Sequence, residues 1–147
     1  GAGNAWAAAQ KLPNYGVDKV FVYSHEGLEH FRVDAYANVI EDCINTVKPS
    51  VVLVGATAVG RSLAPRLATR FRTGLTADCT ALEIKENSDL VQIRPAFGGN
   101  IMAQIITPAT RPQFATVRYK VMDRAEKEDS PSGEVIRCVI PENGLVS

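Results

Sequence analysis

Cysteine is scarce in this 147-residue chain: Cys43, Cys79 and Cys138 stand far apart, with no Cys-x-x-Cys pair. Zinc ligation or a disulfide framework needs closer spacing or an even set, so the expectation is three buried or half-buried free thiols in a reducing compartment and no metal. No run approaches the roughly 18 uninterrupted apolar residues of a membrane span, which argues against membrane insertion. Net charge is lacking too, with 16 basic against 16 acidic residues, whereas a nucleic-acid binder is expected to be strongly basic. The opening GAGNAWAAAQKL has no basic region followed by an apolar block and does not match a secretory signal. These absences together point to a cytoplasmic protein, or a matrix protein if eukaryotic. What is present is apolar content, at 46%, in a chain long enough to bury a core, so one globular domain is expected.

Charge is segregated along the chain. Residues 48–122 hold ten basic and four acidic side chains, while 1–47 and 123–147 each hold three basic and six acidic ones. Such a division supplies either ion pairs within the fold or a basic face for an acidic partner or anionic ligand.

Alternating signals define the fold class. Gly1-Ala2-Gly3 is read as either an added remnant or a loop end, and an Ala-rich helix is predicted over Asn4–Leu12, stopped by Pro13 and the Asn14-Tyr15-Gly16 turn. A strand at Lys19–Tyr23 follows. Tyr36, Ala37, Ile40, Ile44 and Val47 give the helical spacing of Asp34–Val47, and Lys48-Pro49 ends it. Val51–Val54 is an apolar β-branched run, expected to be a strand covered on both faces. A further helix is expected from about Arg61 to Phe71. Strand, helix, strand, helix favours an α/β fold with a parallel-sheet core. The pattern then changes: Cys79–Ile84, a polar turn and Leu90–Arg94 predict an added antiparallel β-hairpin region. Asn100–Thr107 and Gln113–Tyr119 are two more strands, Asp123–Gly133 a solvated linker, and Glu134–Ile140 an edge strand.

Three stretches have residues suited to binding. Gly55, Thr57, Gly60, Arg61 and Ser62 lie where a strand feeds a helix, a position that offers free backbone N–H groups and the positive end of a helix dipole to an anion or nucleotide. The stretch lacks a P-loop lysine and a third dinucleotide glycine, so a tight turn packed closely through its glycines is the competing reading. Arg66 and Arg70, four residues apart on one helix face, call for a carboxylate or phosphate, with Asp78 the nearest acid in sequence and a subunit interface the alternative. Arg94-Pro95-Ala96-Phe97-Gly98-Gly99-Asn100 puts a large aromatic beside paired glycines on a loop, either anchoring a neighbouring domain or plugging its own core. His25 and His30 with Glu26 and Glu29 are read as an exposed loop rather than a metal set. No serine or cysteine has a His/acid pairing that would make it a nucleophile.

TGLTADCT at residues 73–80, RPAFGGN at 94–100 and TPATRPQFATVR at 107–118 together resemble the alpha subunit of electron transfer flavoproteins, over roughly Val17 to Met122. The resemblance implies the adenine nucleotide alpha hydrolase-like fold of that subunit's first domain, over residues 1–122 and without its first strand. Residues 123–147 would then be a charged linker with an edge strand, leading to an absent FAD domain. The family's Gly-Gln-Thr-Gly and Ile-Ser-Gly-Ala flavin signatures have no counterpart here. The resemblance therefore implies a non-catalytic scaffold and interface domain, with Arg66, Arg70, Arg94, Phe97, Gly98, Gly99 and Asn100 at the interface. FAD is expected in the complete heterodimer and no cofactor in this chain. The implied partners are the beta subunit and, through the complex, acyl-CoA or other dehydrogenases, with electrons passing to a respiratory-chain acceptor as in fatty acid beta-oxidation. A stand-alone AMP- or ATP-binding module at the Gly55–Ser62 turn is the alternative.

Overall fold

The computed structural model describes residues 3–146, so Gly1 and Ala2 of the expected remnant or loop end lie outside the described residues. The helices are α1 (Ala5–Ala9), α2 (Val33–Val47) and α3 (Ala58–Arg70). The strands are β1 (Lys19–Tyr23), β2 (Val51–Gly55), β3 (Leu75–Cys79), β4 (Ala81–Ile84), β5 (Leu90–Ala96), β6 (Ile101–Ile105), β7 (Gln113–Val117) and β8 (Glu134–Cys138). They gather into two compact units, one of Gly1–Cys43 with Arg124–Ser147 and the other of Ile44–Asp123. Parallel strands plus an antiparallel sheet give the α/β architecture expected from the sequence.

In the first unit β1 and β8 pair in parallel, in register from Lys19↔Glu134 to Tyr23↔Cys138. Alternation along β1 sends Val20 and Val22 to one face, where they pack with Ala9, Trp6 and Val135. The guanidinium of Arg137 lies 4.4 Å from the centre of the Trp6 ring, closing that face with a cation–π contact. Tyr23 packs instead with Leu28 and the Ala35 and Val39 stripe of α2. The first helix is shorter than expected: Asn4 makes no side-chain cap, and Pro13 diverts Leu12–Tyr15 into a 3-10 turn closed by Gly16 at φ 77°.

The second unit is built on a parallel sheet of order β2-β7-β3 and an antiparallel sheet of order β4-β5-β6. α3 buries Leu63, Ala64, Leu67 and Ala68, and Phe71 just beyond it meets Phe114 of β7 at 6.1 Å between ring centres. Three expectations are corrected. The helix starts at Ala58 rather than near Arg61, because Thr57 Oγ1 accepts the Gly60 N–H at 3.1 Å and nucleates the first turn earlier. Cys79 ends a separate parallel strand, β3, rather than opening the hairpin, which begins at Ala81. β2 is not covered on both faces: Leu53 is 52% exposed, and among the described residues β2 pairs on one side only, with β7.

One buried side chain joins the two sheets of this unit. Gln113 at the start of β7 is fully buried, accepts the Leu90 N–H at 2.8 Å and donates to the Ser88 carbonyl at 3.0 Å. Replacing Gln113 with alanine leaves the buried Leu90 N–H without its partner and releases the Ser88 carbonyl at the exposed turn. The Gln113→Ala protein should lose about 2–4 kcal/mol of unfolding free energy, read from urea melts. A loss under about 0.5 kcal/mol would show that the bridge does not hold the hairpin turn to β7.

Candidate functional site

The chemistry-bearing side chains of the second unit collect at the carboxyl ends of β2, β7 and β3. The register between β3 and β7 shifts between Thr76 and Cys79, and Asp78 sits in that bulge at φ 62°. Aspartate tolerates this left-handed backbone better than most residues, because its short polar chain bonds locally. Here the anchor comes from across the sheet, where buried Thr116 accepts the Asp78 N–H at 2.7 Å through Oγ1. A bulge of this kind re-aims a side chain. It turns the Asp78 carboxylate to Arg118, whose Nη2 and Nε donate to Oδ2 at 2.7 and 3.1 Å. The second oxygen, Oδ1, lies 3.6 Å from Arg61 Nη2, an ion-pair distance too long for a hydrogen bond. The Arg118 hydrogen bond, reinforced by the charges of Arg118, Arg61 and Arg94, holds the Asp78 carboxyl below its ordinary range against partial burial.

Beside this cluster Gly55, Ala56, Thr57, Val117, Arg118, Tyr119 and Lys120 line an open cleft of about 390 Å³. Its floor is tied down by the Ala56 N–H, which donates to the Val117 carbonyl at 2.8 Å. Lys120 carries a cation at the mouth, 5.4 Å from the Tyr119 ring centre. Of the residues singled out in the sequence, Gly55 and Thr57 line this cleft, and the Thr57 hydroxyl is taken up by the helix cap. Gly60 is a packing glycine: a Cβ there would stand 1.9 Å from the Gly55 carbonyl oxygen. Arg61 faces its own chain, donating through Nε to the Ala56 carbonyl at 3.1 Å and facing Asp78. Ser62 is exposed on α3. The cleft thus offers Arg118, Lys120 and backbone groups to an anion, but most of its polar atoms already have partners.

The other singled-out residues fall elsewhere in the unit. Arg66 is exposed and Arg70 half-buried on α3, and both are engaged within the chain. Arg94 lies on β5, half-buried, close enough for its charge to act on Asp78. Phe97 opens the turn Phe97–Gly99 with φ 47°, followed by Gly98 at 72° and Gly99 at 89°, and its ring is 84% exposed. Such a run of positive φ explains the glycine pair, since few other residues adopt it. Asn100 is exposed just before β6. Sequence patterning missed the continuation of this surface. Ile84, Ile101 and Ile105 share one face of the β4-β5-β6 sheet by register and are 64%, 55% and 37% exposed. Met102, on the opposite face, is 52% exposed. The signal was present as alternating apolar positions in Ile101–Ile105, but alternation alone does not say which face is covered.

The histidines behave as an exposed loop: His25 accepts the Gly27 N–H at 3.0 Å, and among the described residues no group of acids, histidines and cysteines fits a metal. No helix among the described residues is long and apolar enough to cross a membrane.

Comparison with known proteins adds kinship to this geometry. A family model described as "Electron transfer flavoprotein domain" matches residues 1–142. The chain is 64% identical over 144 residues to the lactate dehydrogenase (NAD(+),ferredoxin) subunit LctC of Acetobacterium woodii, covering 98% of this chain and 34% of that protein. It is 49% identical over 129 residues to the electron transfer flavoprotein subunit alpha of Thermoanaerobacterium thermosaccharolyticum, covering 88% and 39%. The alpha subunit of Megasphaera elsdenii is 51% identical over 129 residues, covering 87% and 38%. The chain therefore spans a little over a third of the length of the relatives it matches.

The Asp78 cluster has a measurable acid signature. A carboxyl depressed by folding contributes stability above its unfolded pKa, about 4, and loses that contribution as pH falls through the depressed folded value. The wild-type melting temperature should therefore fall more steeply than that of Asp78→Asn between about pH 4 and pH 2. Parallel curves for the two proteins would mean the Arg118 contact does not form in solution.

Proposed function

Since the chain belongs to the electron transfer flavoprotein family, we propose that it is the amino-terminal domain of an alpha subunit, a scaffold and intersubunit surface in a heterodimer that carries electrons on FAD. On this reading residues 1–122 form the α/β domain, and 123–147 lead on, through β8 docked against β1, toward the flavin-binding part. The flavin does the redox chemistry while this domain positions its neighbours. Within this chain no group is assigned to catalysis and no FAD contact is assigned.

The observation that carries the interface is the uncovered apolar surface around Phe97, Ile101 and Met102, at 84%, 55% and 52% exposure. Exposed apolar side chains on a loop and an edge strand suit a protein contact, here with Ile101 and Met102 on opposite faces of β6. Gly98, Gly99 and Asn100 belong to the same loop and would frame this surface, with Arg94 at the end of β5 leading into it. We assign this surface to the beta subunit. The name of the Acetobacterium relative favours a lactate-oxidising dehydrogenase as the electron donor to the assembled complex, over an acyl-CoA dehydrogenase.

The nucleotide-module alternative has the cleft at Gly55–Lys120 in its favour. Against it stand the packing role of Gly60 and the commitment of Arg61 to Asp78 and the Ala56 carbonyl. Calorimetric titration of AMP separates the two: saturable binding abolished by Arg61→Ala would favour the module over the scaffold.

In the assembled protein Phe97→Ser combined with Ile101→Ser should weaken binding to the beta subunit about tenfold or more while leaving the melting temperature of this chain unchanged. Unaltered affinity, measured by surface plasmon resonance, would remove this surface from the interface. The chain purified alone should be colourless, and a stoichiometric yellow chromophore would overturn the assignment of the flavin elsewhere.

A further inference from the structure

Two of the three cysteines, far apart in sequence, converge in the first unit. Tyr23 and Cys138 are register partners at the ends of β1 and β8. Partners across a sheet point to the same face. The face opposite Val20, Val22 and Val135 therefore carries Phe21, Tyr23, Ile136 and Cys138. α2 covers that face at Tyr23 through Ala35 and Val39, and Cys43 follows Val39 by one further turn of the same stripe. Tyr23 links the two elements: its hydroxyl donates to Asp42 Oδ2 at 2.8 Å and also bonds the neighbouring Cys43 thiol. Cys138 Sγ lies 3.8 Å from the Ile136 carbonyl, near enough to Cys43 for its charge to act on that thiol. Both cysteines are half-buried free thiols, whereas Cys79 is fully buried in the second unit.

We propose that Cys43 and Cys138 form a redox modification site, a thiol pair that closes to an intramolecular disulfide when a small-molecule disulfide is the oxidant. One thiolate attacks a sulfur of the oxidant, releasing the first small thiol and leaving a mixed disulfide on the protein. The second cysteine attacks that protein sulfur and releases the second small thiol. One protein S–S bond forms and one small-molecule S–S bond breaks; two electrons and two protons pass from the cysteine pair to the two released thiols. The bond would staple β8, and with it the segment after residue 123, to α2. This site does not depend on the electron-carrier reading.

The surroundings set its character. Burial first, then the neighbouring Cys138 charge, pushes the Cys43 thiol up. Tyr23 from β1 and Asp42 from α2 face the same sulfur, and Tyr23 is itself held well above the ordinary phenol range by burial and the Asp42 bond. A thiol that ionises reluctantly attacks slowly and is a poor leaving group once bonded. The disulfide should therefore form slowly and resist reduction by monothiols.

The native full chain, incubated with oxidised glutathione and then alkylated, provides the test. Its free-thiol titre should fall from three to one per chain, with Cys79 the remaining thiol and a Cys43–Cys138 linked peptide in the mass map. Cys43→Ser and Cys138→Ser should each abolish that peptide and leave a glutathione adduct on the surviving partner, while Cys79→Ser leaves closure intact. The wild-type peptide map decides the matter even if a serine variant folds poorly. A titre that stays at three, stable glutathione adducts on both cysteines, or a link found only between chains would each overturn the proposal.

Discussion

β7 is the strand on which the second unit depends. It is the middle strand of the parallel sheet, with β2 and β3 on either side. Phe114 and Ala115 are fully buried within it. Each of its polar positions also fastens a different part of the unit. Its first residue, Gln113, takes its N–H to the Ser50 carbonyl and its side chain to the hairpin turn. Thr116 anchors the bulge that turns Asp78 outward, Val117 accepts from Ala56 in the turn before α3, and the Arg118 N–H donates to Cys79. A strand late in the sequence thus locks elements that precede it by tens of residues. The ordering entropy of those earlier segments is recovered only when β7 inserts.

That dependence explains which parts of the fold were legible from sequence. β1 and β8 were found because Lys19–Tyr23 and Glu134–Cys138 are short β-branched runs between turn residues. α2 was found because its apolar spacing repeats over four turns. The identity of β3 was hidden, since Leu75–Cys79 mixes threonine and aspartate with apolar residues, and its bulge breaks the alternation. Nothing local in Gln113–Val117 distinguishes a central parallel strand from one more antiparallel strand, because pairing is a long-range property. The early start of α3 was masked by Gly60, which looks like turn glycine until Thr57 is seen to cap it and the Gly55 carbonyl is seen against it.

The site residues divide along the same line. Family-like motifs led to Phe97 and the glycine pair, and the structure places that ring outside the core. Arg118 went unremarked because its importance comes from Asp78, forty residues earlier, and only the bulge brings the two together. Tyr23, Cys43 and Cys138 were equally unreadable as a group, since three elements contribute them.

The contrast between cleft and apolar surface is what separates the functional readings. In the cleft the charges answer one another: Asp78 is shared by Arg118 and Arg61, and Thr57 and Ala56 are spent on the turn. A ligand there must displace or outbid internal partners, and a charge already paired gains little from a second partner in water. At Phe97, Ile101 and Met102 nothing is spent. Covering apolar surface releases about 25 cal/mol for each square ångström removed from water, and a phenylalanine ring already 84% exposed forfeits no internal packing on being covered. Directional polar chemistry has been consumed in building the turn, and uncovered apolar area remains at the loop and edge strand. The balance of the two makes this second unit better suited to hold a protein neighbour than a nucleotide.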